Sequence, residues 1–348
     1  MKRTLFIIVL GLFGLTGVMV SGVQVQAQGV TEWRIHTPHG PGRSEYIMET
    51  EWADTLTKES GGRLKVTIYP NNALGFKDPD MYRVVPQKVI EGFMFYDGYA
   101  VRDDPILAMT APEMILSERQ TAVNYAPYAM EILKKRLSEK WKIRLSVAFA
   151  SPQCFVGIAG KAPYNTLESM KGKKIRAWGQ PQMDTFKKLG IPTQTMAQAD
   201  LYLALKSGVL DGALWYANSY LINSLYEVAP YWSTLYQSTV ILGMATSEAV
   251  FNALPPDLQE MMKRVENNLN KKWQSEAPGW CAQYDEPSFA LLKAKGANIL
   301  APFSKEDQAL LVKTGRIVWR EQAKKLGPEA VKYQQALEAA LIKAETTK

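Results

Sequence analysis

Apolar side chains alternate through Leu64, Val66 and Ile68, and the segment 63–69 is predicted to be a strand with one buried face. Before it, Met48, Trp52, Ala53 and Leu56 recur at helical spacing behind the capping residue Ser44, until Gly61-Gly62 stops the run. Trp33 to Thr37 reads as an earlier strand, broken by Pro38-His39-Gly40-Pro41-Gly42. Strand, helix and strand in this order predict a right-handed crossover and a largely parallel sheet. The pattern continues with a helix over 81–91, a buried strand over 92–96 and a helix over about 121–140. Strands over 143–150 and 154–159 follow, separated only by Ser151-Pro152-Gln153, which is what a hinge between two lobes looks like. The alternation then repeats as strand 174–178, helix 183–189, strand 192–195, helix 200–206 and strand 211–216. Pro255-Pro256-Asp257 opens a long helical pattern through Leu258, Met262, Val265, Leu269 and Trp273, with Pro278 and Pro287 predicting kinks or breaks. Ser304 caps another helix, and a last amphipathic helix follows Gly327-Pro328.

The first residues obey a different rule. Met1-Lys2-Arg3 is basic, residues 5–20 carry no charge, and Val25-Gln26-Ala27 is a small-x-small cleavage site, so a signal peptide over 1–27 and a periplasmic mature chain are expected. Gly11, Gly14 and Gly17 interrupt the apolar run, which is short for a membrane span, and no later segment is apolar enough to cross a bilayer. The remaining length suits two lobes with a crevice. Lys and Arg outnumber Asp and Glu by 41 to 34, but the basic residues are interspersed, which argues against nucleic acid and towards small anions. Cys154 and Cys281 lie far apart in the chain and are expected to be two free, partly buried thiols. Pro38 and Gly40 break any helix between His36 and His39, so this pair reads as a turn, and no metal or other cofactor is expected. A nucleophile elbow, a P-loop and a dinucleotide fingerprint are missing, which disfavours the competing class, a secreted hydrolase or lyase.

The most specific stretch is Met170-Lys171-Gly172-Lys173-Lys174-Ile175-Arg176, followed by Tyr202-Leu203-Ala204-Leu205 and Gly208-Val209-Leu210-Asp211-Gly212. In order and spacing these pieces resemble the solute-binding subunits of tripartite ATP-independent periplasmic (TRAP) transporters, the DctP-like family. The resemblance covers nearly the whole mature chain, most specifically 61–71 and 165–226. It implies an α/β two-lobed periplasmic binding protein fold, type II-like, with two mixed sheets flanked by helices, hinge strands and one long lobe-spanning helix. Lobe I is expected over 28–150 plus about 243–280, and lobe II over 151–242 plus about 281–348. The implied role is a receptor that closes around a small organic anion and passes it to the TRAP membrane permease subunits. A receptor that presents its ligand to a sensor kinase is the alternative left open.

Arg176 matches the family's ligand-pairing arginine, and a guanidinium at a strand end is a preorganised fork for a carboxylate. Trp178 stands two residues on, projecting from the same face. Tyr96 and Asp97 end a strand of the first lobe, where ligands of open α/β sheets gather. Phe155, Trp215, Tyr216 and Tyr236 complete an aromatic wall. Relatives that bind sialic acid or C4-dicarboxylates carry Gly-Gln-Glu-Asn-Pro where this chain has Gly212-Ala213-Leu214-Trp215-Tyr216, so those ligands are not expected. Gln153 and Trp215 match a branch that holds its ligand through a metal, but Leu214 occupies the carboxylate's place and has no oxygen to offer. Gln153 also stands where many relatives carry a second arginine, which implies a monocarboxylate with an apolar or aromatic body.

Overall fold

The computed structural model describes residues 29–110, 114–116, 118–196, 198–237 and 240–347, and the segment 1–27 expected to be a signal peptide lies outside them. The strands are β1 (Thr31–His36), β2 (Leu64–Tyr69), β3 (Gly92–Tyr96), β4 (Ile143–Ala150), β5 (Phe155–Gly160), β6 (Ile175–Ala177), β7 (Thr193–Thr195), β8 (Gly212–Tyr216), β9 (Tyr231–Gln237), β10 (Ile241–Ser247) and β11 (Asn298–Ile299). They form two sheets, ordered β2-β1-β3-β10-β4 and β11-β9-β5-β8-β6-β7. In the first, β1 runs parallel to β2 and β3, as the strand-helix-strand pattern predicts. β10 enters antiparallel between β3 and β4 because the chain returns there from the second sheet. This fold is the mixed α/β, two-lobed form expected.

Alternation along the strands decides what each face buries. Ile35, Leu64, Val66 and Phe93 share one core with Trp52 and Leu56 of the helix Ser44–Glu59, Leu133 of the helix Arg119–Arg136 and Met262 of the helix Pro256–Glu276. The second sheet is covered on both faces. Ile158, Ile175 and Leu214 pack with Phe186 and Leu311, while Ala159, Ala213 and Trp215 turn the other way to meet Leu201, Leu205 and Leu292.

The helix Pro256–Glu276 runs on through a 3-10 turn, Ala277–Gly279, and a π turn, Cys281–Asp285, into Glu286–Ala294. Leu258 at its start lies in the first core and Leu292 near its end in a core of the second sheet, so this interrupted helix joins the lobes. Pro278 and Pro287 fall at the interruptions, where each removes one helical N–H.

Several expectations change. The helix expected over 81–91 is only Met81–Val84: Val85 is still helical (φ −69°, ψ −44°) and bonds back to Met81 O, but Pro86 has no N–H with which to continue the ladder. The last helix, Pro328–Thr346, expected with lobe II, buries Ala330, Leu337, Leu341 and Ala344 in the first core. Cys154 and Cys281 are not free thiols: they form a disulfide with Cα atoms 5.4 Å apart. Distance in the chain misled here, because the crossover between β4 and β5 runs directly against the spanning helix at its π turn.

The disulfide closes a long loop, which limits the unfolded chain most strongly. Replacing both cysteines with serine is expected to lower the unfolding free energy by about 2–5 kcal/mol, measured by urea denaturation of the oxidised chain and the variant. Equal stabilities would show that the bridge adds no constraint.

Candidate functional site

The ends of the two sheets face one another across the crossover. Ser151 N donates to Val240 O at 2.8 Å, which sets the outgoing and returning chain segments side by side. On the second sheet, Arg176 of β6 lies in register with Ala213 of β8, with Trp215 two residues further on the same face. The Arg176 Cζ sits 4.6 Å from the Trp215 ring centroid and 5.9 Å from that of Trp178. Trp178 stacks on Tyr216 at 5.2 Å.

Arg176 is buried, and no carboxylate of the described residues pairs with it. Its Nε and Nη2 donate to Met196 O at 3.3 and 3.1 Å, which leaves Nη1 buried without a partner. Trp215 Nε1 is also buried and unpartnered among the described residues. Burial pulls the guanidinium down to about 10, with Tyr96 of the first lobe close enough to act against it. The group therefore stays charged at neutral pH, and a buried cation of this kind calls for an anion. Tyr96 itself packs edge-on against Tyr99 at 5.0 Å, and its carbonyl accepts from the Tyr82 hydroxyl at 2.7 Å.

Other expected site residues have different surroundings. Asp97 is buried at the start of a 3-10 turn after β3. Phe155 packs on Phe289 of the spanning helix at 5.6 Å, and Tyr236 lies in the apolar core beside β5. Gln153 is fully buried and its amide joins the two lobes: Nε2 donates to Glu45 Oε1, while Oε1 accepts from Ser219 Oγ at 2.9 Å.

Sequence reasoning missed the partners around this joint. Glu45 takes both Arg43 Nη2 at 2.8 Å and Nε at 3.3 Å, and Glu49, one helical turn on, meets His39 Nδ1 at 2.6 Å. The helix-face spacing of Glu45 and Glu49 beside an apolar stripe was the available signal. Asp285 accepts from the amides of Cys154 and Phe155, the latter at 2.9 Å. Burial raises its carboxyl to about 6 against those hydrogen bonds. Burial also pushes the Glu45 carboxyl up, but Arg43 and His39 outweigh it and hold the group at about 2.

Two α/β lobes, a pinned crossover and a buried cation at the facing sheet ends define a solute-binding protein. Residues 36–326 match the family described as bacterial extracellular solute-binding protein, family 7, and the chain belongs to it. It is 26% identical over 246 residues to the uncharacterized protein YiiZ of Salmonella typhimurium, covering 68% of this chain and 72% of that one. Its fold is similar to a TRAP periplasmic solute binding protein from Desulfovibrio desulfuricans with bound sn-glycerol-3-phosphate, at TM-score 0.78 and 22% identity over 91% of this chain and 98% of the other. It is likewise similar to DctP6, a Bordetella pertussis extracytoplasmic solute receptor binding pyroglutamic acid, at TM-score 0.77 and 21% identity over 90% and 100% of the chains. Among the described residues no helix is long and apolar enough to cross a membrane.

Glu45 gives a pH test. Its folded value, about 2, lies below the ordinary 4.5, so its stabilisation is complete above 4.5 and is lost as pH falls towards 2. Glu45→Gln is expected to cost about 3 kcal/mol near neutral pH, with the gap to the unmodified chain narrowing through the acid range in urea titrations. Curves that stay parallel down to acid pH would refute the ionised Arg43–Glu45 pair.

Proposed function

We propose that this chain is the periplasmic receptor of a TRAP-type secondary transporter, and that it captures an organic acid by closing its lobes and delivers it to the membrane permease. The observation that carries the ligand class is the buried Arg176, whose Nη1 has no partner among the described residues. A carboxylate there completes the guanidinium's hydrogen bonding, and the stacked Trp178 and Tyr216 offer a flat wall to the ligand's body. Pyroglutamic acid, bound by the Bordetella neighbour, is a carboxylic acid and supports the same class, while the Desulfovibrio neighbour's sn-glycerol-3-phosphate is an anion of another kind. The basic and apolar start, with Val25-Gln26-Ala27, supports export through a cleaved signal peptide, and the Cys154–Cys281 disulfide suits an oxidising compartment.

In this reading lobe I comprises about 28–150 and 243–280 together with the final helix, while lobe II comprises 151–242 and the chain from 281 to that helix. Tyr96 comes from the first lobe and Arg176 from the second, so a ligand that touches both shifts the population towards the closed form.

Thermal unfolding of the mature chain against a panel of carboxylic acids tests this. A bound acid is expected to raise the midpoint progressively with concentration. Arg176→Gln is expected to lose about 2–5 kcal/mol of binding free energy for the best acid, read by calorimetric titration. Undiminished affinity in that variant would end the assignment of Arg176, and a panel in which only sugars or amines bind would end the ligand class.

A further inference from the structure

The second buried guanidinium of this region belongs to Arg119, which no expectation singled out. Arg119 is 5% exposed, and its Nη1 donates to Ser151 O at 2.6 Å, but Nε and Nη2 are buried and have no partner among the described residues. Strand register fixes its place relative to Arg176. The Arg119 backbone N–H donates to the Gln237 side chain; Gln237 pairs with Phe155, and the next residue, Val156, pairs with Tyr216. Tyr216 stacks on Trp178, whose ring is 5.9 Å from Arg176 Cζ. The start of the helix Arg119–Arg136 therefore sits at the same edge of the second sheet as Tyr216 and Trp178, and Tyr216 is close enough to act on the Arg119 guanidinium.

The charged and titratable groups nearest Arg119 are Asp285 and Tyr216. Asp285 acts on it through space but makes no hydrogen bond or ion pair with it: its Oδ2 is held by the Cys154 and Phe155 amides, and its Oδ1 is buried without a hydrogen-bond partner among the described residues. The Arg119 Cζ also lies 5.7 Å from the Trp280 ring, so one flank of the guanidinium is covered by an aromatic side chain. Gln153, by contrast, has its amide engaged by Glu45 and Ser219.

We infer that Arg119 is a specificity-determining residue of the same cleft, donating Nε and Nη2 to a second acceptor group of the ligand while Arg176 holds its carboxylate. The ligand is then an acid with acceptor oxygens at two ends, the second a carboxylate or an amide carbonyl. This revises two expectations: that of a monocarboxylate, which rested on glutamine standing at position 153, and that C4-dicarboxylates are not bound, which rested on the residues at 212–216. The inference depends on the ligand role of Arg176 proposed above.

Calorimetric titration of the mature chain with butyrate, succinate and succinamate separates the possibilities, since the three share a chain length and differ only at one end. The unmodified protein is expected to bind succinate or succinamate at least about 10-fold more tightly than butyrate, a gap of about 1.4 kcal/mol. In Arg119→Gln that advantage is expected to disappear while butyrate affinity changes by less than about 3-fold, and Arg119→Lys is expected to keep part of the preference for succinate. Butyrate bound as tightly as the two-ended acids, or no binding by either two-ended acid, overturns the inference. So does an equal loss for all three acids in Arg119→Gln together with a lower midpoint of the ligand-free protein, which makes Arg119 a hinge support. Arg176→Gln serves as the control: loss of all three acids there, with the preference for the two-ended acids unchanged in Arg119→Gln, leaves the carboxylate clamp standing and removes only the second contact.

Discussion

The crossover from Ser151 to Phe155 is the constraint on which the rest of the molecule depends. Irregular backbone in a buried place has to satisfy its polar groups through something other than sheet or helix. Here Ser151 N bonds to the returning chain at Val240, Ser151 O takes Arg119, and the Cys154 and Phe155 amides reach Asp285. Cys154 is also joined covalently to Cys281, at the point where the lobe-spanning helix changes to a π turn. Two of the connections between lobes, the β4–β5 crossover and the spanning helix, are thus tied together at one level. Motion of one lobe against the other has to turn about this fixed point instead of sliding along it.

The buried charges divide into two kinds. Arg136 lies between Asp104 at 2.6 Å and Glu329 at 2.7 Å, and Glu266 is paired with Arg144, so these ions are neutralised within the protein. Arg119 and Arg176 are at least as buried, yet among the described residues only carbonyl oxygens accept from their side chains. A carbonyl dipole offsets only part of the desolvation of a full charge. The cost of keeping a charged group in this condition is tolerable where a ligand relieves it, which is why such groups gather at binding sites. The acids at the cleft show the complementary case. Glu45 is occupied by Arg43 and Gln153, and so adds little negative field to oppose an incoming anion.

Much of the fold was legible because strand alternation and helix caps are local signals. Leu64, Val66 and Ile68 marked β2, Ser304 caps its helix through Asp307 N at 3.1 Å, and Arg176 lies within a strand, β6, shorter than the one expected over 174–178. The same local logic gave too long a helix after Met81, where Pro86 limits the backbone. What stayed hidden was set by contacts between distant segments. Cys154 and Cys281 are 127 residues apart, and no spacing rule brings them together. Arg119 drew no expectation at all, because its burial depends on Ser151, Gln237 and Trp280 arriving from three other places. Gln153 was placed at the site by the resemblance, but the geometry turns it into a strut.

That strut bears on how closure works. Glu45, Gln153 and Ser219 bridge first lobe, hinge and second lobe through the protein's own hydrogen bonds, independently of any ligand. In the closure proposed above, this part of the contact between lobes would come from the protein itself, and would favour the closed form whether or not a solute is bound. A ligand can move such an equilibrium only by the difference in its affinity for the two states. It needs less of that difference when the competent state is already partly occupied, because the apparent affinity is reduced by the fraction that is competent. In the function proposed above, Arg176 supplies the remaining bias: its buried Nη1 has no acceptor among the described residues, so the contact that completes closure would also be the one that selects the charge of the solute.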